Sequence, residues 1–453
     1  MQKQQPIARS GSGSGGKLNS TPLCRANHTR SRDPGDLHGF VGGAAVNDDH
    51  LVDDRGSLRS RERLRQRVRR VQCRNDNRNM FLNCSARRRI IGGMDMPVPI
   101  RPRKGRGAAS NETGRFEAEK RVPFDDGWDR ADDQPAPLTT TLTVDTTRTI
   151  IARNDSPDIG FDRSINPYRG CEHGCIYCYA RPSHAFLGLS PGLDFESRLF
   201  YKPQAATLLA AELRKKGYSC RPIALGSNTD PYQPVERRLG ITRAILEVLR
   251  DFRHPVTIVS KAALIQRDLD ILGDMAKDRL ASVTISVTTL DRTLARCMEP
   301  RAPTPERRLE TIAALASAGV PTGVLSAPMI PALNDSEMEQ ILERAREVGA
   351  TSAGYTLLRL PLELKALFKE WLEEYFPKKA MHVLSLVAQT HGGRLYDSSW
   401  SKRMTGTGPY AEVLRLRFER ACRKLGFGER SIRPLDTTLF RPPPQQGEQL
   451  ALL

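Results

Sequence analysis

Six short β-branched runs, each followed by a helical stretch, constrain this chain more than any other feature. The runs at 164–168, 222–226, 256–260, 283–287, 322–326 and 354–358 read as buried strands. The last five begin about 30 residues apart, the length of one strand-plus-helix unit. Strands joined by helical crossovers lie parallel in one sheet, so six units in succession predict an α/β fold with a partial (β/α)6 barrel. A doubly wound open sheet is the second architecture. Helix signals fall between the runs, at 204–216 and 242–250. Thr304 caps a third helix that opens on Pro305 and ends at Gly319. Ser336 with Glu339 predicts a capping box on a fourth, which runs to Gly349.

The strand-helix texture begins near Thr149. Residues 1–94 carry Gly/Ser runs and scattered arginines with no sustained period, and are expected to be a disordered basic arm. They hold about 19 basic and about 8 acidic residues, and so most of the net charge of +18. Two readings fit them: a nucleic-acid-binding arm, or a start assigned too far upstream, with Met94 or Met96 the true first residue. Cys24, Cys73 and Cys84 would then be incidental. Residues 95–150 read as a polar, extended leader with few core positions, and 151–376 as the barrel. Residues 377–453 form a small helical C-terminal extension and loose tail, after an amphipathic helix at 362–375. The extension holds an apolar helix at 381–389, a Gly/Ser/Thr-rich loop at 392–410 and a basic helix at 411–425. No apolar run approaches a membrane span and the first residues lack a secretory core, so a cytoplasmic protein without a membrane partner is expected.

Cys171, Cys175 and Cys178 lie within eight residues, just after the first strand, where a parallel barrel builds its active site. Nine cysteines in a large chain without an export signal favour metal binding over a disulfide framework. A structural zinc or an electron-transfer iron-sulfur cluster takes four protein ligands, so three thiolates leave one metal position open. Zinc knuckles more often pair Cys-x2-Cys with a second such pair. Here His173 lies inside the motif, and Cys220, Cys297 and Cys422 are scattered and read as ordinary semi-buried thiols.

Polar residues cluster after the later strands too, at 226–236, 260–268, 286–291 and 327–335. A cofactor with an amino acid moiety, a ribose and an adenine needs a cation, hydroxyls and apolar surface. Lys261, Thr229, Ser286 and the stretch from Ala327 to Ile330 meet those needs. Glu236, Asp230 and Asp291 fit either positioning of substrate or cofactor, or plain loop capping and ion pairing. Tyr355 and Arg359 end the sixth strand and face either substrate or core. Glu299 and Arg301 read as a structural turn.

The Cys-x3-Cys-x2-Cys run, with Tyr177 before its last cysteine, resembles the radical S-adenosylmethionine (SAM) superfamily. RGCEHGCIYCYAR, NTDPYQPVE, TLD and MEPRAP together look like its spore photoproduct lyase branch, and within that an uncharacterised bacterial subfamily, over roughly residues 101–426. The resemblance implies the TIM-like partial barrel of that superfamily and a [4Fe-4S] cluster on Cys171, Cys175 and Cys178. S-adenosyl-L-methionine would bind the open iron near Tyr177, Thr229, Asp230, Lys261, Ser286 and Ala327, with flavodoxin or ferredoxin as electron donor. An enzyme that forms a 5′-deoxyadenosyl radical follows, its catalytic residues and substrate unassigned. The alternatives are a nucleic-acid (DNA lesion) repair or modification lyase, suggested by the motifs and by Arg417, Arg420 and Arg423 on the basic helix, and a zinc-dependent nucleic-acid-binding module. Ser227 departs from the pattern, because the lyase carries a hydrogen-donating cysteine there. A serine O–H bond is too strong to replace that thiol.

Overall fold

The computed structural model describes residues 105–121, 138–428 and 434–444. The expected arm at 1–94, the alternative starts at Met94 and Met96, and tail residues 445–453 lie outside the described residues.

Ten strands form two sheets. The first joins β1 (Thr141–Val144), β5 (Arg198–Tyr201) and β4 (Tyr168–Arg169). The second holds β2 (Ile151–Arg153), β3 (Arg163–Ile165), β6 (Ile223–Leu225), β7 (Val256–Ser260), β8 (Ala281–Ser286), β9 (Thr322–Met329) and β10 (Ser352–Leu357). Its spatial order, β10-β9-β8-β7-β6-β3-β2, follows the sequence, and every pair from β3 to β10 is parallel. β2 closes the edge antiparallel to β3. A doubly wound sheet would reverse its strand order partway along. This one never does, so the six parallel strands are the partial (β/α)6 arrangement. The first expected strand splits in two: 163–165 stays in the large sheet, whereas Tyr168 and Arg169 pair with β5 in the small one.

Between these strands run the 3-10 turn Arg181–Leu187 and helices α1 (Leu193–Ser197), α2 (Ala205–Leu213), α3 (Glu236–Leu239), α4 (Ile241–Asp251) and α5 (Leu269–Lys277). Helices α6 (Arg292–Met298), α7 (Pro305–Ser317) and α8 (Met338–Glu347) complete the crossovers. Inward strand residues Ile165, Leu225, Ile258, Val283, Ile285 and Val324 pack with Ile245 and Leu249 of α4, Ile312 and Leu315 of α7 and Ile341 of α8. Each such side chain, fully buried, contributes about 1.5–3 kcal/mol.

Thr304 caps α7 as expected, its hydroxyl accepting from the Arg307 N–H. The capping box at Ser336 does not form: a 3-10 turn, Asp335–Glu337, leads into α8 and no side chain caps that helix. Glu339 instead binds Arg417 at 2.6 Å, and Glu337 accepts from the Thr289 hydroxyl and the Leu290 N–H. Tertiary partners outcompete the local motif.

Helices α9 (Leu364–Tyr375) and α10 (Ala380–Thr390) share a second apolar cluster with Ile176, Met298, Leu358 and Leu360, so the extension packs directly beside the cysteine loop. The expected 392–410 loop contains α11 (Lys402–Thr405) and the start of α12 (Gly408–Leu425). α12 is less basic in effect than its sequence suggests, since Arg415 pairs with Glu412 and Glu419, and Arg417 with Glu339. The 95–150 segment is more than a leader: Arg106, Gly107 and Ala108 are buried, and β1 extends the small sheet. Among the described residues, no helix is long and apolar enough to cross a membrane.

Candidate metal and cofactor site

The run after β4 folds into a tight loop because its own carbonyls need donors, and Arg181 provides them. Its fully buried guanidinium donates to the carbonyls of Cys175 (2.9 Å), Gly174 (3.2 Å), Pro191 (3.1 Å) and Gly192 (3.0 Å) and pairs with Glu196. Glu196, itself fully buried, also accepts from the backbone N–H groups of Gly107 and Ala108, both at 2.9 Å. At Gly107 a Cβ would lie 1.8 Å from the Gly174 carbonyl oxygen, so only glycine permits this approach. Gln233 clamps the other side, accepting from the Glu172 N–H and donating to the Gly170 carbonyl.

A third brace reaches in from residues 288–308. Glu299 accepts from the Tyr177 hydroxyl, from Thr288 at 2.7 Å and from Arg308, whose guanidinium also donates to the Ser286 carbonyl. Arg301 pairs with Glu172 at 3.0 Å. The expected structural turn at Glu299 is therefore the anchor of the aromatic residue in the cysteine motif.

The loop presents its thiols to a cavity of about 150 Å³ at the carboxyl ends of the barrel strands. Cys171, Cys175, Cys178, Tyr177, Thr229, Asp230, Lys261, Ser286 and Ala327 all line it, with His173, Asn228, Arg359 and Met404. Lys261 Nζ donates to the Ser286 hydroxyl (3.0 Å) and lies 5.6 Å from the Tyr177 ring centroid. Ser286 donates to the Ala327 carbonyl at 3.2 Å. Ala327 sits inside β9, which runs to Met329, rather than after it.

Asp230, expected at the cofactor, lines the cavity and also holds its own loop. One oxygen accepts from the Ser260 hydroxyl and the Tyr232 N–H, the other from the Lys261 N–H, and His173 lies 3.4 Å away. Burial alone would raise its pKa, but His173 and these donors outweigh burial and bring it down to about 2. The carboxylate thus fixes the loops that carry Lys261 and His173. Thr229 donates to the Tyr168 carbonyl.

Other expected residues separate from the site. Glu236 is fully buried, accepting from Tyr168, the Thr242 N–H and Arg267. Asp291 caps α6. Tyr355 packs its ring 4.7 Å from that of Phe418 on α12. The side chain of Ser227 is held by Asn166, and the residue does not line the cavity. Cys220, Cys297 and Cys422 stand apart from the cavity as free, half-buried thiols. Sequence reasoning missed Arg181, Glu196, Gln233 and Glu299 as organisers of the loop. Arg181 and Glu299 were visible only as charges within the quoted motifs, and Glu196 carries no local signal.

The donor set suits a cluster better than a single ion. Three thiols facing one cavity can each bind a separate iron. Burial pushes all three upward, with Asp230 adding to the effect on Cys171 and Glu299 on Cys175. The free thiols are therefore protonated and must release protons on ligation.

Residues 165–345 match the model of the radical SAM superfamily. An uncharacterized protein of Mycobacterium tuberculosis (strain ATCC 25618 / H37Rv) is 36% identical over 220 residues, which are 48% of this chain and 65% of that protein. The chain thus spans just under two thirds of that relative. An uncharacterized protein of Methanocaldococcus jannaschii is 27% identical over 214 residues, 47% of this chain and 76% of its own length. Among solved structures, a spore photoproduct lyase complexed with dinucleoside spore photoproduct is 14% identical with a TM-score of 0.45, covering 63% of this chain and 78% of that one.

Proposed function

We propose, for a chain whose residues 165–345 form a radical SAM domain, that the cavity is the reaction site of an enzyme using a [4Fe-4S] cluster and S-adenosyl-L-methionine. Cys171, Cys175 and Cys178 would hold the cluster. When bound, the cluster supplies one electron that cleaves the sulfonium of S-adenosylmethionine to a 5′-deoxyadenosyl radical, and a reduced flavodoxin or ferredoxin would restore that electron. Lys261, steadied by Ser286 and the Tyr177 ring, offers a cation to the carboxylate of S-adenosylmethionine. Thr229 and Ser286 offer hydroxyls, and Leu325 and Ala327 an apolar wall for the base. Burial of the thiols keeps water from the reacting centre.

One observation carries this reading: three thiols, a cation without a carboxylate partner among the described residues and two hydroxyls, from four separate strand ends, share one cavity. Repair through a residue-227 hydrogen donor is not supported, since Ser227 is a serine turned to Asn166. Anaerobic reconstitution should give about four irons and four sulfides per chain. Dithionite-reduced protein should then convert S-adenosylmethionine to methionine and 5′-deoxyadenosine. Cys175→Ala should lose iron and cleavage together, and stoichiometric zinc without iron would overturn the reading. Deuterium transfer from a labelled compound into 5′-deoxyadenosine would identify the substrate.

A further inference from the structure

Arg359 follows β10, is only 7% exposed and lines the same cavity as the three thiols. Its guanidinium carbon lies 4.9 Å over the Tyr179 ring, and one terminal nitrogen reaches the Met404 sulfur at 3.5 Å. Its Nε has no partner among the described residues. Other buried arginines have oxygen acceptors: Arg181 pairs with Glu196, Arg308 with Glu299, Arg163 with Asp162 and Arg403 with Asp158, and Arg106 donates to the carbonyls of Glu196 and Leu138. Among the described residues no carboxylate lies within ion-pair distance of Arg359, and a thioether is a poor acceptor for a charged donor.

An isolated buried charge is costly, and arginine cannot relieve that cost by losing its proton. The chain nevertheless builds the position with care. Tyr179 donates its hydroxyl to the Ser227 carbonyl, which fixes the ring under the guanidinium. Arg403, next to Met404, is locked to Asp158 at 2.6 Å. Asn228, whose side-chain oxygen is also buried without a partner, lines the same wall.

We infer that Arg359 is the binding residue for an anionic oxygen group, carboxylate or phosphate, carried by the substrate. The guanidinium fork matches either group with two parallel hydrogen bonds. S-adenosylmethionine brings one carboxylate, for which Lys261 is available, so the second cation answers to a second anion. The inference rests on the reading of the cavity as the reaction site, and deepens it by naming the substrate class.

The test uses reconstituted full-length protein with S-adenosylmethionine present. Inorganic phosphate and acetate are titrated separately against chloride at matched ionic strength, by calorimetry and by thermal unfolding. Wild type should bind at least one probe saturably, and which one binds distinguishes the two groups. Arg359→Met should weaken that binding tenfold or more and abolish the probe's thermal shift, whereas Arg359→Lys should retain part of it. Because an unpartnered charge leaves the interior, Arg359→Met should unfold at the same or a higher denaturant concentration than wild type. A lower midpoint would mark Arg359 as structural and overturn the inference. So would saturable binding equal in both proteins, no saturable binding in wild type, or a loss of S-adenosylmethionine affinity as large as the loss for the probe. If the protein binds the probe through Arg359 yet cleaves no S-adenosylmethionine, the proposed function fails and the anion site stands. Cleavage with probe binding indifferent to Arg359→Met fails the inference alone.

Discussion

Replacing Arg181 by methionine removes one buried guanidinium and takes a donor from each of five acceptors. Breaking a buried ion pair by deleting one partner costs about 3–5 kcal/mol, because the surviving charge stays desolvated. Glu196 would keep only the Gly107 and Ala108 N–H groups, while the carbonyls of Gly174, Cys175, Pro191 and Gly192 would lose this donor. Against a whole-domain stability of about 5–15 kcal/mol, the loss is about a fifth or more. Urea unfolding of the metal-free protein, followed by fluorescence of Trp371 in the apolar cluster shared with the cysteine loop, should show a lower midpoint with unchanged slope. Iron retained after reconstitution should fall in parallel. Glu196→Gln should also destabilise, and the double variant should lose much less than the two losses added, with a coupling of about 2 kcal/mol or more. A change within about 1 kcal/mol for Arg181→Met, or strict additivity, would refute the claim that this pair organises the loop.

Gly107→Ala should cost about 3 kcal/mol or more, since the Gly174 carbonyl blocks the new methyl; an unchanged urea midpoint would contradict the close approach. Glu299→Gln leaves Arg308 without its counter-charge and should cost about 3–5 kcal/mol, against about 1 kcal/mol for Tyr177→Phe, which loses one hydrogen bond. The reverse ranking would reject Glu299 as the anchor. Burial pushes His184 and His254 down to about 4, despite their hydrogen bonds with the Arg198 and Pro255 carbonyls. Depressed pKa values mean that the unfolded chain takes up protons first. The stability these groups supply is thus full above about pH 6.5 and lost as pH falls toward 4, by about 3 kcal/mol for each at most. Unfolding free energies measured across that range should fall less steeply for His254→Gln than for wild type.

Much of this fold is legible because hydrophobic period and helix punctuation act locally. The run at 256–260 is β7 at both ends, and Thr304 with Pro305 opens α7 where the residues say it should. The capping box at Ser336 fails because Glu339 is claimed by Arg417, 78 positions away. Residues 164–168 mislead because they serve two sheets, divided where Asn166 and Pro167 interrupt the run. At the site, the lining residues are readable since strand-end loops must converge in a parallel barrel. The braces are not, because Gly107, Gln233 and Glu299 act on the cysteine loop across long separations. Asp230 shows the limit of residue type as a guide: a carboxylate at a cavity wall can also hold its own loop. Arg359 shows the opposite case, where only the absence of an oxygen acceptor among its described neighbours sets it apart from the other buried arginines.

The three braces on the cysteine loop also set an order of events in the life of the chain. Gly107 and Ala108 reach Glu196, Gln233 reaches Glu172, and Glu299 reaches Tyr177. The thiols are emitted from the ribosome long before Glu299, so a nascent chain that ends between them cannot yet shape their loop. Under the proposed function, iron-sulfur delivery should therefore wait until the chain has passed Glu299 and that brace has closed on Tyr177.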